Sequence, residues 1–249
     1  YKLLGLFETN IHFFGIKEKA PFYLFGSDDL GRDLYSRIIY GTRISLSIGL
    51  VGVFISLVVG LFLGALSGLF GGMVDIIIQR AIEMLISIPR IPLWMALSAA
   101  LPDHWPPLRI YFAITILLSL VGWTSIARVV RGKFISLREE DFISAASSFG
   151  ANTIWIIFKH LIPNFLSYVL VRITLSIPWM ILAETSLSFL GIGLRPPVVS
   201  WGVLLQQAQN MRTVSKYPWL LLPGLFVILA VLFFNFIGDG LRDAADPYN

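Results

Sequence analysis

The chain has 249 residues, 56% of them hydrophobic and only 14% charged, with 19 Lys and Arg against 15 Asp and Glu for a formal net charge of +4. Soluble domains carry about 25% charged residues, so a mean hydropathy of +0.78 excludes an ordinary water-soluble enzyme, a disordered chain and a nucleic-acid binder built on a basic tail. With no cysteine, a disulfide scaffold and a thiol nucleophile are excluded as well. The apolar excess needs lipid as its solvent.

Residues 1–41 mix charges, aromatics and Pro21 without a spanning run, and read as an extracytoplasmic N-terminal segment ahead of a membrane domain over 42–249. Crossing the hydrocarbon core takes roughly 20 apolar residues in a helix. Five segments qualify. Ile44–Val74, Ile110–Ala127 and Tyr217–Gly238 hold no Asp, Glu, Lys or Arg, while Ile76–Leu101 carries Arg80, Glu83 and Arg90, and Leu161–Ala183 carries Arg172. The fold class is therefore all-α and integral to the membrane. An odd count of spans in a chain opening at Tyr1 leads us to expect one further helix before it.

In the first span Gly52, Ser56, Gly60, Gly64 and Gly68 recur every fourth residue, a small-residue seam on one helix face. Such a seam lets two backbones approach closely in lipid. It serves either a static contact or a helix that rocks against its neighbour. Orientation follows from Lys and Arg near the helix ends. Arg128, Arg131, Lys133, Arg138 and Lys159 crowd one loop, which places it on the cytoplasmic side. Threading outward puts 67–75 and the C-terminal tail inside, and the N-terminal segment, 102–109 and 185–216 outside.

The chain shows no catalytic signature. Gly132-Lys133 is followed by Phe134 and lacks the upstream glycine of a phosphate-binding loop, so this chain does not cradle ATP itself. His12, His104 and His160 are scattered and form no metal-binding H-E-x-x-H, and no G-x-S-x-G occurs. The charges inside the spans remain. Arg80 and Glu83, three apart on a helix, can satisfy each other. Arg172 lies near the middle of its span, where an unpaired charge costs a few kcal/mol or more. It faces either a solute pathway or an interhelical partner. Glu184, at the outer end of the same helix, reads as a solvated or gate-closing group and joins Arg172 as a pathway candidate.

The long inside loop, 132–160, is the most informative stretch. Phe142, Ala145 or Ala146, and Phe149 share one face at helical spacing, and Gly150 then breaks the helix. A second short helix over Asn152–Lys159 runs to Ile162 and Pro163, where the next span begins. Two short helices with small residues at their elbow suit a plug that enters a partner's groove, or an amphipathic element lying on lipid.

The stretch ISAASSFGANTIWIIFKHLIP resembles the EAA loop of ABC-importer permeases, with Ala145, Ala146, Gly150 and Pro163 in register and Ser144 where the family usually has Glu. GSDDLGRDLYSRIIYGTRISL (26–46), AETSLSFLGIGLRPPVVSWG (183–202) and FNFIGDGLRDAADPYN (234–249) resemble the C-type subunit of dipeptide and oligopeptide ABC importers, whose relatives also import nickel and plant oligosaccharides. The resemblance implies a type I ABC importer permease fold of six helices, in the prokaryotic plasma (inner) membrane, translocating peptides by alternating access. It implies as partners a homologous B-type permease, two ABC ATPase subunits that hold ATP and Mg, and an extracytoplasmic solute-binding protein, with no cofactor on this chain. Phe142, Ser144, Ala145, Ala146, Phe149, Gly150 and Pro163 become the ATPase-coupling residues. Arg195, Trp201 and Arg212, on the outer loop, become docking candidates for the binding protein. The rival classes are a secondary transporter or channel, which calls for carboxylates near the bilayer midplane or a pore-lining repeat, and a purely structural membrane subunit.

Overall fold

The computed structural model describes residues 2–3, 7–8, 23–102, 104–138, 140–141, 148–151, 155, 159 and 162–245. Apart from a two-residue antiparallel pair, Lys2–Leu3 with Phe7–Glu8, its named elements are helical. They are α1 (Leu34–Phe70), α2 (Gly72–Ser87), α3 (Arg90–Ala99), α4 (Pro107–Arg138), α5 (Ile162–Phe189), α6 (Trp201–Gln206), α7 (Met211–Lys216) and α8 (Leu222–Ala245). Single-turn 3₁₀ segments at Gln207–Gln209 and Pro218–Leu221 join the last three.

Helix α1 is 37 residues long, about 55 Å at 1.5 Å per residue. It begins ten residues before the uncharged run because Asp33 caps it, accepting from the backbone N–H of Tyr35 at 3.2 Å and of Ser36 at 3.1 Å. The sequence boundary at 41/42 therefore falls inside a helix. At its other end Gly71 and Gly72 take φ of 60° and 52°, a left-handed turn that L side chains disfavour.

The second span is not one helix. α2 and α3 meet at 87°. Ile88 is extended at φ −89°, ψ 129° because Pro89 follows it, and Pro89 has no N–H to carry the helical ladder onward. α1, α4 and the segment Pro218–Ala244 are each long and apolar enough to cross a membrane, and the bent α2–α3 pair qualifies as a broken span. The fourth expected span is α5, 28 residues and about 42 Å long, which opens at Ile162 with Pro163 in its first turn, where a missing N–H costs nothing.

Burial in this bundle inverts the pattern of a soluble helix. In α1 the buried positions include Gly52, Ser56, Gly60, Gly64 and Gly68, while Leu50, Phe54, Val58 and Phe62 are exposed. In α8 the exposed residues include Leu225, Ile228, Leu232, Phe233, Phe236 and Ile237. Lipid tails are as apolar as these side chains, so nothing drives them inward, and association rests on close packing of small residues. The seam lies against α4. A Cβ at Gly60, Gly64 or Gly68 would stand 2.7, 2.6 and 2.7 Å from Ile126, Ala127 and Phe134 respectively. The main apolar core, which includes Ile48, Leu118, Ile177, Ile181, Leu187 and Leu204, sits among α1, α4, α5 and α6.

The two ends of the bundle separate as the threading requires. Residues 26–45, 98–111 and 190–220 meet at one end: Trp219 Nε1 donates to the Ser27 carbonyl at 2.9 Å, the Ser98 hydroxyl to the Ile192 carbonyl, and Trp201 Nε1 to the Ile38 carbonyl at 3.2 Å. The end holding Ser67, Asp75 and Arg131 lies opposite. We call these the outer and inner ends.

Candidate functional site

At the inner end Asp75, in the first turn of α2, accepts two bonds from the Arg131 guanidinium, at 2.6 and 2.5 Å, and one from the Ser67 hydroxyl at 2.5 Å. Gln79 donates to Ser67 Oγ at 3.1 Å. A planar guanidinium matches a carboxylate in this two-pronged way. The pair clamps the α1–α2 turn to the last part of α4, which leads into the loop expected on the cytoplasmic side. α4 runs to Arg138, so the first residues of the expected loop 132–160 are still helical.

Of the coupling candidates, Phe142, Ser144, Ala145 and Ala146 lie outside the described residues, as does most of the expected short helix over 152–159. Phe149 is 91% exposed. Gly150 has φ of 80° with nothing within 4 Å of an added Cβ. The chain therefore turns at Gly150 where the sequence placed a break, with an aromatic ring projecting beside it. Pro163 stands in the first turn of α5, its side chain outside the description.

A cavity of about 380 Å³ opens on the exposed face of α5, with walls from α1, α3, α4, α5 and α8. Arg172 and Arg90 line it together with Trp94, Trp179, Ser125 and Asn235. Arg172 is about 15 Å along the 42 Å of α5, and Ser176, Trp179 and Ala183 continue its face. Trp179 is 71% exposed and Arg172 is also exposed. A guanidinium at that depth cannot face hydrocarbon without a cost of several kcal/mol, so this side of α5 belongs to water or protein. Arg80 and Glu83 form the expected local pair at 2.9 Å, on the exposed side of α2.

Glu184 departs from the sequence reading. It is 0% exposed rather than solvated, and its Oε1 accepts from Ser188 Oγ and Ser200 Oγ, each at 2.8 Å. The last turns of α5 and the following loop fold over it, and among the described residues it is not part of the wall that Arg172 lines. Trp201 departs likewise. It is 3% exposed, with its backbone N–H donating to Ser45 Oγ at 3.0 Å and its indole to the Ile38 carbonyl. The ring packs against α1 and offers no surface to a partner. The reason is Gly202, where an added Cβ would stand 2.8 Å from the Thr185 backbone of α5, so that only glycine lets α6 pack this closely. Arg195 is exposed on the outer loop beside Pro196 and Pro197, and the Arg212 side chain lies outside the description.

A second buried acid escaped the sequence reading. The Asp28 side chain is 0% exposed and pairs with Arg32 at 2.7 Å and with Arg37. It also accepts from the backbone N–H of Arg32 at 2.9 Å and of Leu30 at 3.0 Å. Burial pushes its pKa up, but these hydrogen bonds and the Arg37 charge outweigh burial and hold the carboxyl below its ordinary range. The signal was present as Asp28 four residues before Arg32 around a Gly31 turn.

Residues 56–248 match the family described as binding-protein-dependent transport system inner membrane component. The chain is 42% identical over 227 residues to the oligopeptide transport system permease protein OppC of Haemophilus influenzae, covering 91% of this chain and 70% of that protein. It is 43% identical over 226 residues to OppC of Escherichia coli K12 (90% and 72%), and 38% identical over 225 residues to the dipeptide transport system permease protein DppC of Bacillus subtilis (90% and 68%). In fold it resembles a chain of the MetNI methionine ABC transporter, with a TM-score of 0.64 at 19% identity over 86% of this chain and 98% of that one. An amino acid ABC transporter gives 0.60 at 15% identity over 84% and 92%. Small-residue packing, lipid-facing aromatics and a charged cavity at mid-depth agree with these matches: the chain belongs to the binding-protein-dependent transport system inner membrane component family, as a multi-pass plasma-membrane permease of the C type found in peptide ABC importers.

Proposed function

We propose that this chain is one of two homologous permease subunits of an ATP-driven importer of dipeptides and oligopeptides. The observation that carries the reading is the set of relatives named for oligopeptide and dipeptide transport, 37% to 43% identical over about nine-tenths of the chain. In this reading a B-type permease covers the exposed face of α5. Two ATPase subunits supply ATP and Mg, since this chain has no phosphate-binding loop of its own, and no cofactor is bound here. An extracytoplasmic solute-binding protein delivers the peptide to the outer end, where Arg195 and Arg212 offer charge to its surface.

Mechanically, the elbow at Gly150 seats in the ATPase pair and transmits its closure to α4 and α5. The Asp75–Arg131 clamp makes α2 move with α4. The solute passes between the two permeases, alternately open to each side. The test is reconstitution of the chain with its partner subunits in proteoliposomes. ATP-dependent uptake of labelled dipeptides and oligopeptides, without uptake of oligosaccharide or nickel, is the expected result. Nickel or oligosaccharide uptake with no peptide uptake would replace the solute but keep the importer. Solute uptake without ATP would favour a secondary transporter and end the reading.

A further inference from the structure

The mid-depth cavity carries an inference of its own, which rests on the peptide-import reading. Two arginines, Arg90 at the start of α3 and Arg172 on α5, line the same space, and among the described residues no Asp or Glu lines it. Neither arginine has an ion-pair partner among the described residues, whereas Arg32, Arg37, Arg80 and Arg131 each have one. One helical turn from Arg90, Trp94 has an indole nitrogen that is buried with no hydrogen-bond partner among the described residues. Trp179, Ser125 and Asn235 complete a wall of aromatic faces and neutral polar groups. A volume of about 380 Å³ falls within the range of sites that enclose a small organic ligand.

An unpaired Arg172 at the depth of the hydrocarbon core, with a second positive charge from Arg90 on the same space, is expensive unless an anion visits it. Guanidinium groups match carboxylates in planar, two-pronged geometry, and an indole N–H adds a donor that a carboxylate oxygen accepts. We propose that Arg90 and Arg172 form a carboxylate-binding station on the solute's path, which takes the terminal carboxylate of a peptide in transit while Trp94 and Trp179 flank the rest of the molecule. The same chemistry could come from a carboxylate side chain of the partner permease. The solute is favoured because the cavity is larger than one side chain needs, and its walls are mixed aromatic and hydroxyl, which suits varied cargo.

The station is selective for charge and indifferent to side chain. It holds the solute by a group that every peptide with a free C-terminus carries, which is compatible with cargo of varied sequence.

The test uses the complete transporter in proteoliposomes, with binding protein loaded beforehand and present at saturation. Uptake of one dipeptide is compared with that of its C-terminal amide, for wild type, Arg172→Met, Arg172→Lys and Arg90→Gln. The binding protein is the same throughout, so its own preference cancels when acid-to-amide ratios are compared between variants. The expected result is an about tenfold fall in uptake of the free acid for Arg172→Met, from the loss of one charge-assisted hydrogen-bonded contact, with amide uptake unchanged. Arg90→Gln should move the ratio the same way and Arg172→Lys should retain part of it. An unchanged ratio in Arg172→Met and Arg90→Gln would overturn the station. An equal loss for both peptides, or a smaller amount of assembled complex, would assign the arginines to a carboxylate of the partner permease and also overturn it. Wild-type proteoliposomes that import no peptide at all would instead overturn the peptide reading, and the station with it.

Discussion

Glu184 Oε1 accepts a hydrogen bond from Ser200 Oγ at 2.8 Å across sixteen residues of chain, joining the end of α5 to the start of α6. Ser200 in turn accepts from the Val203 N–H at 3.2 Å, so one hydroxyl both caps α6 and donates to the acid. Ser188 donates to the same carboxyl oxygen and accepts from the Leu194 N–H at 3.0 Å. The outer loop is thereby fastened to the membrane helix by a chain of hydroxyls meeting at one buried side chain.

Removing that side chain should cost more than neutralising it. Glu184→Ala leaves two buried hydroxyls short of an acceptor and opens a void, for a loss of about 3 kcal/mol. Glu184→Gln keeps an acceptor oxygen and should cost about 1 kcal/mol. Thermal unfolding of the detergent-purified transporter ranks the two. Equal loss in both variants would mean that the charge, and not the hydrogen-bond acceptor, is what the site needs.

Glycines in the packed seam and glycines in open helix should respond to alanine with opposite signs. A Cβ at Gly64 would stand 2.6 Å from the Ala127 carbonyl oxygen and 2.8 Å from Val130 Cβ. The α1–α4 backbones would have to part, at about 1–3 kcal/mol. Gly132 in α4 has nothing within 4 Å of an added Cβ, so alanine there gains up to about 1 kcal/mol of helix propensity. Melting temperatures in the same detergent should therefore move down for Gly64→Ala and up for Gly132→Ala. A destabilising Gly132→Ala would show that a partner subunit packs on that face.

Asp28 predicts how the outer end responds to acid. Its carboxyl is held below the ordinary range when folded, so its contribution is fully present above the unfolded value near 3.9. That contribution is lost as pH falls through the lower folded value. Asp28→Asn should lower stability by about 1.5–3 kcal/mol at pH 7, through loss of charge-assisted bonds to Arg32 and Arg37. The difference between wild type and variant should shrink steadily as the pH is taken below 4. Parallel pH profiles would remove Asp28 as the source.

The elbow predicts a defect in coupling without a defect in folding. Gly150 is exposed at φ 80°, and among the described residues nothing stands within 4 Å of an added Cβ, which leaves room for a partner there. Gly150→Asp, and Ala145→Arg in the preceding segment, should abolish solute-stimulated ATP hydrolysis while the amount of permease in the membrane is unchanged. Gly150→Asn, which tolerates the left-handed region and adds no charge, should keep more of the stimulation than Gly150→Asp. Wild-type stimulation in the charged variants would place the docking surface elsewhere.

Much of this protein was determined by local sequence. Uncharged runs of about 20 residues call for lipid, so α1, α4 and α8 were legible in the sequence, and α5 was legible despite Arg172. A repeat of small residues every fourth position must lie on one helix face, and Gly60, Gly64 and Gly68 do meet α4. Arg80 and Glu83 pair because residues three apart on a helix are neighbours. The turn at Gly150 followed from its place after a helical face. What tertiary structure alone decided are the contacts between residues distant in sequence. Hydropathy averages over a window, so Ile76–Leu101 read as one span although the single Pro89 bends it by 87°. Glu184 and Trp201 read as surface groups because charge and aromaticity at a membrane edge usually mark one; only the fold of the outer loop over α5 and α1 shows both buried and hydrogen-bonded. Arg90 and Arg172 read as unrelated charges on two spans. They line one cavity because α3, turned at Pro89, packs beside α4 and α5, a consequence of packing that no periodicity along the chain encodes.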